Sequence, residues 1–207
     1  MVNYEHLAAV PLNLPARKTF NENKLAFIVD DVYSKEECEE MIKMTEAQGY
    51  CHALVNVGGG RQILEPKVRN NYRCIVDSFE KSSEMWDRIK HLIPKQWKGR
   101  KALGLNERLR FLRYDKGQQF KPHFDGSYVR DNGEISYLTV QLYLNEGFKG
   151  GATTFLEDHS RCDFGDNDVD CVPKIGRVLV FQHDILHSGS KLVQGRKYCV
   201  RTDVMFG

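Results

Sequence analysis

Two different hydrophobic periods divide this chain of 207 residues. Before about residue 105, apolar residues recur every three or four positions in two segments, which predicts two helices. The first helix should open at Ser34, which forms a capping box with Glu37, and end at Gly49. The second should begin near Ser83 and stop at Pro94. We interpret both apolar stripes as packing faces of a core and not as cofactor sites.

Beyond residue 106 the pattern changes to that of β-strands. Short β-rich runs are separated by Gly, Asp and Asn turns, and several alternate with period two. The runs are "ERLRFLRYD", "SYLTVQLYL", "ATTFL", "RVLVF" and "KYCVRTDVMF". This succession predicts an α+β fold, with N-terminal helices packed on an antiparallel jelly-roll. We expect one compact unit, in which residues 1–105 form a supporting helix and strand region and residues 106–207 form the core.

Composition and charge give information on function mainly because they argue against nucleic-acid-binding and membrane-spanning classes of protein. A net charge of +2, with 30 basic and 28 acidic residues mixed along the chain, gives no reason to expect a nucleic-acid partner. No run approaches the roughly 18 apolar residues of a membrane helix, and the N-terminus does not resemble a signal peptide. We therefore expect a cytoplasmic protein without a membrane partner. The sequence does not indicate an oligomeric state.

The six cysteines form no CxxC pair, which argues against a zinc ribbon or a thioredoxin-type site. Without an export signal they should be mostly reduced. Cys162 and Cys171 bracket an acidic loop and could pair. Two free thiols are the favoured interpretation of these two residues.

The stretch "KPHFDGSYVR" places His123 and Asp125 two residues apart. Alternate residues of an extended segment face the same way, so both side chains can converge while Phe124 points into the core. A buried strand later leads to His187. Two imidazoles and one carboxylate are the facial triad of non-haem Fe(II) oxygenases, which leaves metal positions open for a 2-oxo acid and dioxygen. The HxD pair alone is weak evidence, because most such residues near turns lie on the surface.

Polar residues of the other predicted strands strengthen the case for a site. Lys197 opens the last strand, where a buried cation could pair with the distal carboxylate of a dicarboxylic co-substrate. Tyr114 ends the strand that feeds the HxD turn. Thr139, Gln141 and Tyr143 share one face of "YLTVQLYL". Inward hydroxyls are costly unless they meet a polar partner, and a bound carboxylate would supply one.

Four blocks of sequence, in this order and spacing, resemble the prolyl 4-hydroxylase group of Fe(II)/2-oxoglutarate-dependent dioxygenases, from about Ala26 to Phe206. They are "LRYDKGQQFKPHFD", "LTVQLYLNEGFKGGATTFL", "PKIGRVLVFQHDILHSG" and "QGRKYCVRTDVMF". The resemblance implies a cupin-like double-stranded β-helix that uses Fe(II), 2-oxoglutarate and O2, with ascorbate as a reductant. It implies catalytic iron ligands at His123, Asp125 and His187. It also implies that the 2-oxoglutarate C5 carboxylate binds Lys197, with support from Tyr114, Thr139 and Tyr143.

Three neighbouring residues leave the assignment of roles open. Arg196 lies beside Lys197, and strand alternation lets only one of them face inward; the lysine matches the collagen-type enzymes. Arg201 lies on the same face as Lys197 and could contact the co-substrate or the substrate. His183 is a rival metal ligand, but "LHSG" matches the family motif and "QHD" does not. We therefore interpret His183 as a structural residue behind the ligands.

The segment "VNVGGGRQILEPKVRNNYRCIV" predicts a flexible hairpin, because it lacks the Lys-Ser/Thr pair of a phosphate-binding loop. "VRNN" resembles the "VRTS"-type stretch of a mobile loop that closes over substrate in prolyl hydroxylases. By that match Arg69 and Asn71 would touch substrate. Tyr128, just downstream of the HxD pair, is assigned to the same side. An ordinary surface hairpin is the alternative.

The resulting hypothesis is an oxygenase that converts 2-oxoglutarate to succinate and CO2 while it hydroxylates an unactivated C–H bond. By resemblance, the leading substrate is a prolyl residue in a peptide or protein. A free amino acid or small metabolite is the enzymatic alternative. A non-catalytic jelly-roll binding module and a structural zinc protein are rivals from other classes, although zinc would want a fourth ligand.

Overall fold

The period-two runs become paired strands in the computed structural model, which describes residues 4–15, 21, 23–58, 60–157 and 167–207. The helices within these residues are α1 (Lys35–Gln48) and α2 (Phe79–Ile89), and a short 3-10 turn, Lys90–Leu92, follows α2. The strands are β1 (Val10–Pro11), β2 (Ala26–Val29), β3 (Cys51–His52), β4 (Val55–Asn56), β5 (Gln62–Ile63), β6 (Tyr72–Asp77), β7 (Gln96–Trp97), β8 (Arg100–Leu105), β9 (Arg108–Tyr114), β10 (Phe120–His123), β11 (Ile135–Tyr143), β12 (Lys149–Gly150), β13 (Thr153–Phe155), β14 (Val169–Cys171), β15 (Val178–Gln182), β16 (His187–Gly189), β17 (Leu192–Gln194) and β18 (Lys197–Phe206).

A large antiparallel sheet is organised around the last strand of the chain. Its strand order is β1-β2-β15-β11-β18-β9-β6-β3, and β8 also pairs with β18 and β7 with β8. Strands that precede residue 106 therefore share one sheet with the strands that follow it. The assignment of a supporting role to residues 1–105 and a core role to residues 106–207 stays a prediction.

A smaller sheet, in the order β10-β16-β13-β14, lies against one face of the large sheet. One buried apolar cluster joins the two, with Leu112 and Tyr143 from the large sheet and Phe155 and Cys171 from the small sheet. Two antiparallel sheets that share an interior form the predicted jelly-roll. The pocket described below opens from this interior.

The helices and the large sheet share a second buried cluster. It contains Cys38 of α1 and Met85 and Ile89 of α2, together with Phe111 and Val140 of the sheet. The alternation of β9 and β18 explains the division, because every second residue of a strand faces the opposite side. One face of these strands carries the apolar residues of this cluster, and the other face carries the polar residues of the pocket.

The helix boundaries agree with the sequence at α1 and differ at α2. Ser34 and Glu37 form the predicted reciprocal capping box. Helix α2 begins at Phe79, four residues before the predicted start near Ser83, because Ser78 caps it by accepting a hydrogen bond from the backbone of Lys81. The apolar stripe could not reveal this first turn, since Phe79 is exposed to solvent.

No helix in the described part of the chain is long and apolar enough to cross a membrane. Cys162 lies outside the described residues, so whether it pairs with Cys171 stays a prediction. Free thiols stand at other positions, namely Cys38, Cys51, Cys74 and Cys199.

Candidate metal and co-substrate site

Three predicted ligands converge inside the jelly-roll. His123 ends β10 and His187 opens β16, and the two are direct partners in the antiparallel pair. Their ring centroids lie 4.3 Å apart. Asp125 Oδ1 is 3.7 Å from His123 Nε2, and Asp125 Oδ2 is 3.6 Å from His187 Nε2. One ligand atom from each residue lies within 4.8 Å of the others, which is the spacing that a single metal ion could bridge.

Backbone hydrogen bonds fix the protonation of both imidazoles. Nδ1 of His123 donates to the carbonyl of Lys121 at 2.7 Å, and Nδ1 of His187 donates to that of Ile185 at 2.9 Å. A carbonyl can only accept, so Nδ1 carries the proton and Nε2 presents a lone pair. Burial lowers the pKa of both histidines. The neutral form, which is the form that binds metals, is therefore favoured.

Asp125 is held as a carboxylate. Burial by itself would raise its pKa, but the charge of Arg201 holds the pKa well below the usual range. Oδ2 accepts a hydrogen bond of 2.6 Å from the hydroxyl of Thr139 and lies 3.1 Å from Nη2 of Arg201. Protein donors thus occupy one carboxylate oxygen, which leaves Oδ1 available to a cation.

This donor set fits Fe(II) better than structural zinc. Two neutral imidazoles and one carboxylate match the triad of non-haem Fe(II) oxygenases. Within the described residues no fourth ligand joins the triad, whereas structural zinc sites close with four. Nε2 of His183 lies 3.4 Å from Oδ1 of Asp203, away from the triad. The backbone carbonyl of His183 accepts the N–H of Asp125, so this histidine supports the ligands from behind.

Lys197 lies in the same pocket as the triad. Its side chain is buried, whereas Arg196 faces outward and pairs with Asp115. Nζ of Lys197 donates to the carbonyl of Gly151 at 2.6 Å and forms no ion pair with any carboxylate in the described ranges. Burial lowers the pKa of Lys197. A buried ammonium with only one backbone acceptor is suited to an incoming carboxylate.

Tyrosines flank this ammonium. Nζ lies 5.1 Å from the ring centroid of Tyr114 and 5.4 Å from that of Tyr143. The hydroxyl of Tyr143 donates to Oγ1 of Thr153 at 2.8 Å, and Nε2 of Gln141 donates to the same oxygen at 2.8 Å. The hydroxyl proton of Thr153 therefore remains available to a ligand in the pocket. Thr153 was not among the predicted site residues, although the alternation of "ATTFL" could have placed it inward.

Two predicted co-substrate residues contact Asp125 of the triad, and their binding of the co-substrate stays a prediction. Thr139 donates to Asp125, and Nη2 of Arg201 contacts Asp125, Oγ1 of Thr139 at 3.3 Å and Oδ1 of Asp203 at 3.1 Å. Thr139 of β11 is the register partner of Asp203 of β18. Thr139 lies four residues before Tyr143 in β11, and Asp203 lies six residues after Lys197 in β18. Thr139 and Arg201 are therefore positioned to orient the carboxylate of Asp125.

The three predicted substrate residues have different surroundings. Asn71 is fully buried and accepts a hydrogen bond from Nε of Arg69 at 2.8 Å, and its contact with substrate stays a prediction. This hydrogen bond helps to orient Arg69, which lines the pocket. The guanidinium of Arg69 lies over the ring of Phe120, which stacks on His123. Tyr128 is exposed and lies outside the residues that line this pocket, and its contact with substrate stays a prediction.

The prediction that Phe124 points into the core is wrong. Its side chain is 41% exposed. Strand β10 ends at His123, so the period-two rule no longer governs the next position.

The predicted hairpin does form, from β4 and β5. The side-chain nitrogen Nδ2 of Asn56 lies near Gly126, which places the hairpin beside the loop that carries Asp125.

Comparison with known proteins agrees with this geometry. Residues 109–202, which include the triad and Lys197, match the model of the 2OG-Fe(II) oxygenase superfamily. Prolyl 4-hydroxylase 2 of Arabidopsis thaliana is 26% identical over 87% of this chain and 67% of its own length. The chain spans 60% to 67% of the length of three such Arabidopsis relatives.

Solved structures share the fold at low sequence identity. A viral collagen prolyl hydroxylase from Paramecium bursaria Chlorella virus-1, in a 2OG complex, aligns with a TM-score of 0.55 and 21% identity, over 90% of this chain and 98% of that one. A Trichoplax adhaerens prolyl hydroxylase, in complex with a peptide fragment of the hypoxia inducible factor oxygen degradation domain, aligns with a TM-score of 0.62 and 15% identity, over 92% and 87%. In its triad, its fold and these matches, the chain is similar to the 2OG-Fe(II) oxygenase superfamily and, within it, to the prolyl 4-hydroxylases.

Proposed function

We propose that this protein is an Fe(II)- and 2-oxoglutarate-dependent dioxygenase that hydroxylates an unactivated C–H bond and releases succinate and CO2. The observation that carries the proposal is the presence, in one pocket, of a triad of two neutral histidines and an ionised aspartate, together with a buried ammonium without a carboxylate partner in the described residues. Either feature alone has structural explanations. Together they provide separate sites for a metal and for a dicarboxylic co-substrate.

The residues of the pocket have distinct roles in this proposal. His123, Asp125 and His187 hold Fe(II), which supplies the reduction of O2 coupled to oxidation of the co-substrate. Lys197 binds the C5 carboxylate of 2-oxoglutarate, and Thr153 can donate a second hydrogen bond. The remaining contribution of the protein is to position the bound ligands and to keep the reacting centre away from bulk water.

We infer that the substrate is a prolyl residue in a peptide or protein. The relatives named above are prolyl 4-hydroxylases, and the Trichoplax structure contains a bound peptide. In this chain, Arg69 lines the pocket, and the side chain of Asn56 in the β4–β5 hairpin lies near the loop that carries Asp125.

A screen of proline peptides tests the proposal. Protein loaded with Fe(II) is incubated with 2-oxoglutarate, O2 and each peptide, and succinate is measured together with the mass of the peptide. We expect one oxygen atom to be added to a prolyl residue for each succinate formed. The Asp125→Ala variant serves as the control and should form neither product. Absence of succinate with every peptide and with free amino acids would contradict the proposal.

A further inference from the structure

The pocket carries more positive charge than the triad and the co-substrate need. Arg69 and Arg201 line the pocket together with Lys197. Arg110 is the register partner of Arg201 on the neighbouring strand β9 and shares Asp203 with it, through an Nη1–Oδ2 distance of 3.1 Å. Two guanidiniums therefore line the pocket that contains Asp125, and a third, that of Arg110, contacts the same carboxylate as Arg201.

Two carboxylates among the described residues neutralise these three groups only in part. Asp203 contacts both Arg110 and Arg201. Asp125 contacts Arg201, but its charge is also required by the metal. Arg69 has only neutral partners in the part of the chain that the structure describes: the side chain of Asn71, the carbonyl of Leu54 and the ring of Phe120.

Unused hydrogen-bond donors accompany this excess of charge. Nε of Arg201 is buried without a hydrogen-bond partner. Burial lowers the pKa of Arg69, and the nearby charge of Arg201 lowers it further. A guanidinium held at such a cost is stabilised by an anion, and a planar carboxylate matches the fork of donors that arginine presents.

We propose that the substrate of this enzyme carries a carboxylate that binds Arg69 and Arg201, close to the C–H bond that is hydroxylated. The inference rests on the proposed function and specifies the substrate class. Nη2 of Arg201 lies 3.1 Å from a triad oxygen, and Arg69 lies on the aromatic ring that stacks on His123. A carboxylate held there is adjacent to the reacting centre, so it belongs to the target residue or to its immediate neighbour in a peptide.

The competing occupant of these donors is the C1 carboxylate of 2-oxoglutarate itself. The experiment therefore saturates the co-substrate site first. Protein loaded with Mn(II) and N-oxalylglycine, which does not turn over, is titrated with peptides by calorimetry. One peptide has aspartate on either side of a central proline and an amidated C-terminus. A second has asparagine at both positions, and a third is a short asparagine peptide that ends in proline with a free carboxylate.

At least one of the two carboxylate peptides should bind about tenfold or more tightly than the neutral peptide, since a charge-assisted hydrogen bond is worth roughly this much. The Arg69→Gln variant should bind the carboxylate and neutral peptides with similar affinity, and Arg69→Lys should keep part of the preference for carboxylate. Both variants should bind N-oxalylglycine with the affinity of wild type. Arg100→Gln, which removes an equal charge from an exposed strand, is the matched control. Which of the two peptides binds identifies the source of the carboxylate.

Equal affinities for all three peptides, or binding of none of them, would overturn the inference. The inference would also be overturned if Arg69→Gln still bound a carboxylate peptide more tightly than the neutral peptide. The same holds if Arg69→Gln lost affinity for N-oxalylglycine but not for the carboxylate peptides. These outcomes differ from failure of the proposed function, in which wild-type protein would neither bind N-oxalylglycine nor form succinate from 2-oxoglutarate.

Discussion

At the scale of single residues, the pocket separates groups that bind a ligand from groups that orient another residue. Lys197 belongs to the first kind, because its only acceptor in the described residues is a backbone carbonyl. Thr139 and Asn71 belong to the second, because their polar atoms are committed to Asp125 and Arg69. Substitution of each kind should therefore change different measured quantities.

Replacement of Lys197 should affect the co-substrate specifically. In Lys197→Ala the KM for 2-oxoglutarate should rise by about 10- to 100-fold, the loss expected for one charge-assisted hydrogen bond. Iron affinity should stay close to that of wild type. Arg196→Ala is the matched control, since that side chain lies just before the strand, faces outward and pairs with Asp115. An unchanged KM in Lys197→Ala would contradict the assignment.

The lowered pKa of Lys197 predicts a pH dependence of stability. The unfolded chain binds the lysine proton up to a higher pH than the folded chain, so the free energy of unfolding rises as pH increases through the folded-state pKa. Denaturant titrations of metal-free wild type and Lys197→Met, from pH 7 to about 10, measure this effect. The wild type should gain stability relative to the variant as pH rises. A constant or falling difference would exclude a buried, destabilised ammonium.

Thr139 should act on the metal through Asp125. Thr139→Val keeps the shape of the side chain but removes the donor to Oδ2, so Fe(II) affinity should fall about 10- to 100-fold, as for other residues that orient metal ligands. Thr139→Ser retains the hydroxyl and should bind iron nearly as wild type does. Metal titration of the three proteins under anaerobic conditions measures the difference. Equal affinity for Val and wild type would show that this hydrogen bond does not orient the ligand.

At the scale of secondary-structure elements, the β12–β17 pair holds the backbone carbonyl that accepts from Lys197. Gly150 has φ 76°, and a Cβ there would lie 2.4 Å from the carbonyl oxygen of Lys191. Gly150→Ala should therefore lower the free energy of unfolding by about 1–3 kcal/mol and raise the KM for 2-oxoglutarate. Gly147→Ala, at φ 82° but with no atom within 4 Å, isolates the backbone strain alone. Thermal unfolding should show a larger loss at Gly150 than at Gly147.

The elements also show what a sequence can reveal. Period-two alternation allowed only one of Lys197 and Arg196 to face inward, and the resemblance favoured Lys197. The structure buries Lys197 and exposes Arg196. The same rule failed for Phe124, because the strand ends one residue earlier. Asn71 was assigned to substrate by resemblance, but its burial depends on Arg69 and on the carbonyl of Tyr72, and such tertiary contacts leave no local pattern.

At the scale of the whole molecule, the fold brings together ligands that are distant in sequence. Strands β10 and β16 pair in the small sheet, so His123 meets His187 across the pocket. The order of the predicted strands indicated the jelly-roll, and resemblance supplied the ligand set. Arg110 and Thr153 were missed, because their importance comes from cross-strand neighbours on β18 and β11 that only the register reveals.

Metal binding should stabilise the whole fold, because the ion joins two strands of the small sheet and the loop that follows β10. At a metal concentration of about 100 times Kd the gain is about 2.7 kcal/mol. Mn(II) should therefore raise the Tm of wild type and have little effect on Asp125→Ala. Similar shifts in both proteins would indicate binding elsewhere.

Oxygen-18 labelling tests the central claim most directly. Wild-type protein loaded with Fe(II) is incubated under labelled O2 with 2-oxoglutarate and an unmodified peptide that the enzyme hydroxylates in the peptide screen. The succinate and the peptide product are then analysed by mass spectrometry. A dioxygenase that uses this triad and Lys197 should place one labelled atom in succinate and introduce the second at the new hydroxyl group. Unlabelled succinate, or succinate formed equally well by His187→Ala, would contradict the account.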